Sequence, residues 1–248
     1  MNVHPHRYAR RLALPALVAL VALAALMAVA VAPAAADPPT TSLTAAAQKS
    51  PVKWNTVLIL NGMLVEDVDP PLALDGQQIE VQRATSASGP WKLVTIVTNT
   101  PGPYYSGAYV YNEKATRTYF WRMVFAGTTE YRPATSNAVR IGVAPVLGKP
   151  AVPAKAKARR AFTVRGSLKP RFKAGSRSVK LRWQIRKNGA WRNFRTSWAK
   201  VSKAGSYSKY TARVAVPRAG KFRFYALTPA SAKFVVGRSP FSRTVTVR

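Results

Sequence analysis

Residues 178–186 read Ser-Val-Lys-Leu-Arg-Trp-Gln-Ile-Arg, apolar at every second position. Only an extended strand gathers Val179, Leu181, Trp183 and Ile185 on one side and Lys180, Arg182, Gln184 and Arg186 on the other. Residues 77–83 alternate in the same way, with Ile79 and Val81 on the apolar side. Between residues 52 and 143 further short runs have strand composition: 56–60, 91–97, 105–111, 118–125 and 137–143. Asn61-Gly62, Asp75-Gly76, Ser88-Gly89-Pro90 and Pro101-Gly102-Pro103 punctuate them as turns. There is no long segment of 3.6-residue period in this region. Seven or so short strands with a turn every 8–12 residues describe a β-sandwich rather than a helical or α/β fold.

The pattern restarts after residue 159. Residues 162–168 parallel 57–64, and 175–186 parallel 76–83. Asn188-Gly189 signals a tight hairpin, and strands are expected at 191–201, 206–216, 221–226 and 241–247. Side by side, Gly62 falls with Gly166, Ile79 with Val179, Trp91 with Trp191, Phe120 with Phe222, and Ser136 with Ser242. A period of about 100 residues is a tandem domain, not a solenoid. The expected division is a signal peptide at 1–36, a flexible leader at 37–51, a first sandwich at 52–144, a Pro/Ala/Lys linker at 145–158 that holds the domains at semi-rigid spacing, and a second sandwich at 159–248.

The second copy carries Gly166-Ser167-Leu168, then Gly175 with Val179-Lys180-Leu181, Gly189-Ala190-Trp191, and Ser242-Arg243-Thr244-Val245-Thr246-Val247. This order resembles the immunoglobulin-like repeats of secreted actinobacterial proteins. The first copy departs more, with Gly62-Met63-Leu64 and Gly89-Pro90-Trp91. The resemblance covers most of the chain after residue 36. It implies two tandem immunoglobulin-like sandwiches, a packing role for Trp191, and use as a spacer or binding module, because folds of this kind host many functions.

Arg7, Arg10 and Arg11, an Ala/Leu/Val run over 12–32, and Pro33-Ala34-Ala35-Ala36 make up an export signal. Cleavage after Ala36 and retention as a membrane anchor both fit its length. Cleavage leaves no stable membrane span and removes His4 and His6, and the chain has no cysteine. The remainder then has no thiol or imidazole for catalysis and no disulfide, and it lacks the usual zinc ligands. No cofactor or metal is expected.

Charge divides the chain. All eight acids precede residue 131, whereas residues 149–248 hold 27 Lys and Arg and no Asp or Glu. A small soluble domain needs a net charge of only about 2–8. The excess points to a polyanionic partner. The candidate binding residues are Lys180, Arg182, Arg186, Lys187, Arg192 and Arg195, expected with Gln184 to form one continuous cationic face, and Lys200; Trp198, beside Arg195 and Lys200, is expected to pack, with stacking on a sugar or base as the alternative. No nucleic-acid motif is present, so no sequence-specific nucleic acid partner is expected.

The acids Glu66, Asp67, Asp69, Asp75 and Glu80 are the one cluster able to support catalysis or hold calcium. Their spacing fits a solvated loop, with contact to the basic domain as another use. The reading from sequence is therefore an exported or cell-surface, non-enzymatic module that attaches to an anionic cell-envelope polymer or another polyanion. The alternatives are a structural spacer or protein–protein adhesion module with incidental charge, and, more remotely, a carbohydrate-active enzyme using Glu66 and Asp69. Oligomeric state is left open.

Overall fold

The structure is a computed structural model in which residues 37–100 and 106–248 are described. The export signal, and the Pro101-Gly102-Pro103 turn, lie outside the described residues. Every regular element among the described residues is a strand. None of them forms a helix long and apolar enough to cross a membrane. Residues Pro38–Arg248 form one compact unit. Within it there are two hydrophobic cores, each enclosed by an immunoglobulin-like β-sandwich.

In the first sandwich, strand Val57–Glu66 is the hub of one sheet. Thr41–Leu43, Ala46–Ala47, Leu72–Ala73 and Ala108–Lys114 all pair with it antiparallel. The facing sheet is built on Tyr119–Phe125, which pairs with Gln78–Ala84, Ala134–Thr135 and Val139–Ile141, while Lys92–Thr98 pairs outside Gln78–Ala84. Leu58, Leu60, Leu64, Ile79, Val81, Trp121 and Met123 interleave between the sheets.

The second sandwich repeats this order. Ala161–Lys169 pairs with Val146–Leu147 and Tyr207–Ala215; opposite them, Val179–Lys187 pairs with Ala190–Ala204 and Gly220–Thr228, and Val245–Val247 follows. Strand Ala190–Ala204 is long enough to serve both sheets. Residues 190–199 pair with Val179–Lys187, and residues 200–204 turn onto Tyr207–Ala215. Val179, Leu181, Trp183 and Ile185 are buried, as their alternation requires, with Phe222 and Phe224 beside them on the neighbouring strand.

Two expected boundaries are corrected. The stretch 37–51, expected to be a flexible leader, contains Thr41–Leu43 and Ala46–Ala47, both hydrogen-bonded to Val57–Glu66. The stretch 145–158, expected to be a linker, is the divided first strand of the second sandwich. Val146–Leu147 joins one sheet, and Lys155–Ala156 runs parallel to Val245–Val247 in the other. Prolines 150 and 153 mark where the strand changes sheets, and an edge strand tolerates them because one side of its backbone needs no partner. The first sandwich makes the same change, with Val52–Lys53 parallel to Val143–Ala144.

The two sandwiches are docked to each other rather than held apart by a spacer. The loop 229–236 of the second reaches the first: Thr118 N–H donates to Lys233 O at 2.8 Å, and Val235 N–H donates to Val143 O at 2.9 Å. Phe234 packs at the rim of the first core, with its ring 5.7 Å from that of Phe172.

Internal equivalences sharpen the sequence pairing. Each sandwich has a bulge at the same place, with the extra residue Val94 opposite Val81/Gln82 and the extra residue Phe194 opposite Trp183/Gln184. Arg122 Nε donates to Gln82 Oε1 at 2.9 Å and Arg223 Nε donates to Gln184 Oε1 at 2.8 Å. Gln82 thus matches Gln184, so Ile79 matches Leu181 rather than Val179. Arg122 matches Arg223, so the counterpart of Phe222 is Trp121 rather than Phe120. A buried serine recurs as well: Ser136 Oγ accepts from Met123 N–H and Ser242 Oγ from Phe224 N–H, both at 2.9 Å.

Candidate functional site

Residues directly opposed on neighbouring strands share a face. Lys180 lies opposite Trp198, Arg182 opposite Thr196, and Arg186 opposite Trp191. These, with Gln184 and Arg223, form the outer face of the sheet built on Val179–Lys187. Lys180 Nζ is 4.8 Å from the centre of the Trp198 ring, and Trp198 keeps 44% of its surface exposed. The aromatic singled out in the sequence is therefore on the surface beside a cation, whereas Trp183 is in the core and its Nε1–H donates to Ser197 Oγ at 3.3 Å.

The expected continuous face is not formed by all of its cations. Arg192 lies opposite Ile185 and Arg195 opposite Trp183, so both belong to the inward side of the sheet, at its open edge. Arg192 is inward by plain alternation from Trp191, and the bulge accounts for Arg195: one extra residue, Phe194, shifts the alternation past it. Phe194 itself turns inward, with its ring 5.5 Å from Phe222 and 6.4 Å from Trp183. Arg182 and Arg195 nevertheless both line a shallow pocket of about 300 Å³ at the bulge. Lys187 is exposed at the hairpin tip. Lys200 lies beyond the point where its strand changes sheets and belongs to the opposite outer face.

That opposite face was missed in the sequence. Across it, Arg165, Thr211 and Lys200 form one row, and Ser167, Lys209 and Ser202 the next; Arg213 lies opposite Thr163. The cations and the threonines are exposed, while the intervening Val164, Leu168, Tyr210, Ala212 and Val214 are buried. The signal was available in the alternation of residues 161–169 and 207–215, but which strands lie side by side is a long-range fact. The second sandwich therefore presents cations on both outer faces and has no carboxylate side chain of its own to neutralise them.

A ladder of rings and guanidinium groups crosses the first face. Arg223 sits over Trp191 at 4.5 Å and over Phe241 at 3.6 Å; Arg238 sits over Phe241 at 5.1 Å and over Tyr225 at 4.3 Å. Burial, and then the nearby Arg238 charge, lower the Arg223 pKa. Trp191 thus packs through a cation on the outer face. The first sandwich has the same contact, with Arg122 4.5 Å over Trp91.

The acidic cluster is dispersed into structural roles. Asp67 accepts from the Ser42 hydroxyl, and Asp75 accepts from Ser106 Oγ and Gly107 N–H. All three bonds lie within the first sandwich. Among the described residues no three His, Cys, Asp or Glu come together as a metal-holding group. A carboxylate–guanidinium bridge joins Arg83 and Glu113 at 3.2 Å, and Tyr111 donates to the same Glu113 at 2.8 Å.

No family model matches the chain. No curated protein matches it. Among solved structures, the D1–D4 ectodomain fragment of ICAM-5 is similar over 82% of this chain, at 12% identity and a TM-score of 0.39. The chain spans about half the length of that fragment, 53%. So distant a likeness adds nothing to the strand pairings above, on which the fold assignment rests.

Proposed function

We propose that the chain is an exported, non-enzymatic binding module whose second sandwich attaches electrostatically to an extracellular polyanion. The observation that carries this is the set of 27 Lys and Arg over residues 149–248 without one Asp or Glu. The core pattern of a sandwich is kept and the charge is confined to its outside. Like charges on adjacent strands repel, so such faces cost stability until anions screen them. A polymer of phosphates, sulfates or carboxylates supplies that screening along its length. Flat rows of Lys and Arg interleaved with Ser and Thr suit a sequence-tolerant grip on such a polymer better than a shaped cleft.

A second reading, a structural or adhesion module, is favoured by the docking of the two sandwiches through Phe234, which yields a stiff unit. Retention on an immobilised polyanion separates the two. The salt that elutes the protein should fall for Arg182→Glu with Arg186→Glu, for Arg165→Glu with Arg213→Glu, or for both pairs. On duplex DNA, each lost phosphate contact lowers the slope of log affinity against log salt by about 0.9. Unchanged elution for both charge-reversed pairs would reject the polyanion reading in favour of the adhesion module.

A further inference from the structure

Strand Val57–Glu66 begins Val-Leu-Ile-Leu, apolar on both of its faces. Leu58 and Leu60 fill the first core, so Val57 and Ile59 point outward, where a sandwich ordinarily shows polar residues. Val57 is 55% exposed. The two side chains open into a groove of about 850 Å³ that both sandwiches line. Its floor continues through Val146 and Leu147 of the divided strand. Its rim carries Lys49 and Lys53 from the first sandwich and Arg238 from the second, and no acid lines it. One side is fixed by the parallel pairing of Val52–Lys53 with Val143–Ala144, and Val235, bonded to Val143 O, ties the second sandwich to the same strand. The walls therefore stand in place before any ligand arrives.

We propose that this groove binds a single-chain amphiphile with a carboxylate head. The volume falls within the roughly 300–1,000 Å³ typical of small-molecule sites, which concentrate at domain junctions. An apolar floor draws the hydrocarbon chain from water at about 25 cal/mol per Å² covered. Three cations from two segments at the mouth, with no opposing acid, complement one negative head. A long polyanion would leave Val57 and Ile59 uncovered, so this site, although it shares Arg238 with the ladder on the first face, does not depend on the polyanion reading.

The test is calorimetric titration of the full chain with dodecanoate below its micellar concentration. One equivalent is expected to bind, with affinity reduced about tenfold by Val57→Asp and likewise by Lys49→Ala with Lys53→Ala. The Val57→Asp variant should keep the parent's urea unfolding midpoint to within about 0.5 M, which shows that it is folded. Dodecyl maltoside, which has the chain but no charge, should bind at least tenfold more weakly. Uptake of many equivalents insensitive to Val57→Asp would overturn the proposal, since that is the behaviour of a generally cationic surface. Equal binding of dodecyl maltoside, or displacement of dodecanoate by a poly-glutamate peptide, would overturn it too.

Discussion

Gly166 and Tyr210 make a contact whose cost can be worked out and then undone. Tyr210 is fully buried, lies directly opposite Gly166 in the strand pair, and its hydroxyl donates to Gly148 O at 3.0 Å. A methyl group on residue 166 would lie 2.7 Å from Tyr210 Cε1 and closer still to Cζ and the hydroxyl oxygen. No backbone atom is among the nearest three, so the ring must move. Moving it sacrifices the bond to Gly148, about 1 kcal/mol, and strains a packed core by about 1–3 kcal/mol. Gly166→Ala should therefore cost about 3 kcal/mol. With a urea m-value of about 2 kcal/mol/M, the unfolding midpoint falls by on the order of 1.5 M. Tyr210→Leu removes the three offending atoms while keeping an apolar side chain. In that background Gly166→Ala should be neutral or stabilising by up to about 1 kcal/mol, because the alanine chain loses less entropy on folding. The double-mutant cycle, read by tryptophan fluorescence in urea, should give a coupling of at least about 2.5 kcal/mol. If Gly166→Ala costs the same with and without the Tyr210 ring, the close approach is not what requires glycine there.

The first sandwich should answer differently. Its Gly62 faces the Thr44 backbone carbonyl as well as the Tyr109 hydroxyl, so Tyr109→Leu should leave most of the cost of Gly62→Ala in place. Ser242→Ala leaves the buried Phe224 N–H without its acceptor and should cost about 1–3 kcal/mol in urea unfolding. Burial raises the pKa of both Tyr109 and Tyr210. The unfolded chain then releases these protons first, from about pH 10. Stability is full below that pH and should fall as pH rises through it, by up to about 1.4 kcal/mol per pH unit for each tyrosine, as followed by thermal melts between pH 9 and 12. Phe234→Ala should uncouple the sandwiches, so that one urea transition becomes two and amides of residues 229–236 exchange faster.

What the sequence made legible follows from range. The alternation around Trp183 fixed the inside and outside of its strand, because that information is local and repeats every second residue. It failed eleven residues later for an equally local reason that leaves no mark in composition: the extra residue Phe194 breaks the alternation, so that Arg192 and Arg195, three positions apart, fall on the same inward side of the sheet. The first strands of both sandwiches escaped notice because they are short, divided by proline and one-sided, and two-residue pairings such as Val146–Leu147 have no period to read. The second cationic face needed the knowledge that residues 161–169 lie against 207–215, some forty-five positions away. Charge itself was fully legible, since a domain without acids cannot hide its cations in internal ion pairs, and folding can only choose how they are divided. It placed cations on two outer faces, with Arg192 and Arg195 at the open edge and Lys187 at the hairpin tip, and left the groove between the sandwiches as a place where cations and exposed apolar side chains meet. Binding through the faces should weaken steeply with salt, whereas binding in the groove, driven largely by apolar contact, should persist, so salt alone distinguishes which surface a given ligand occupies.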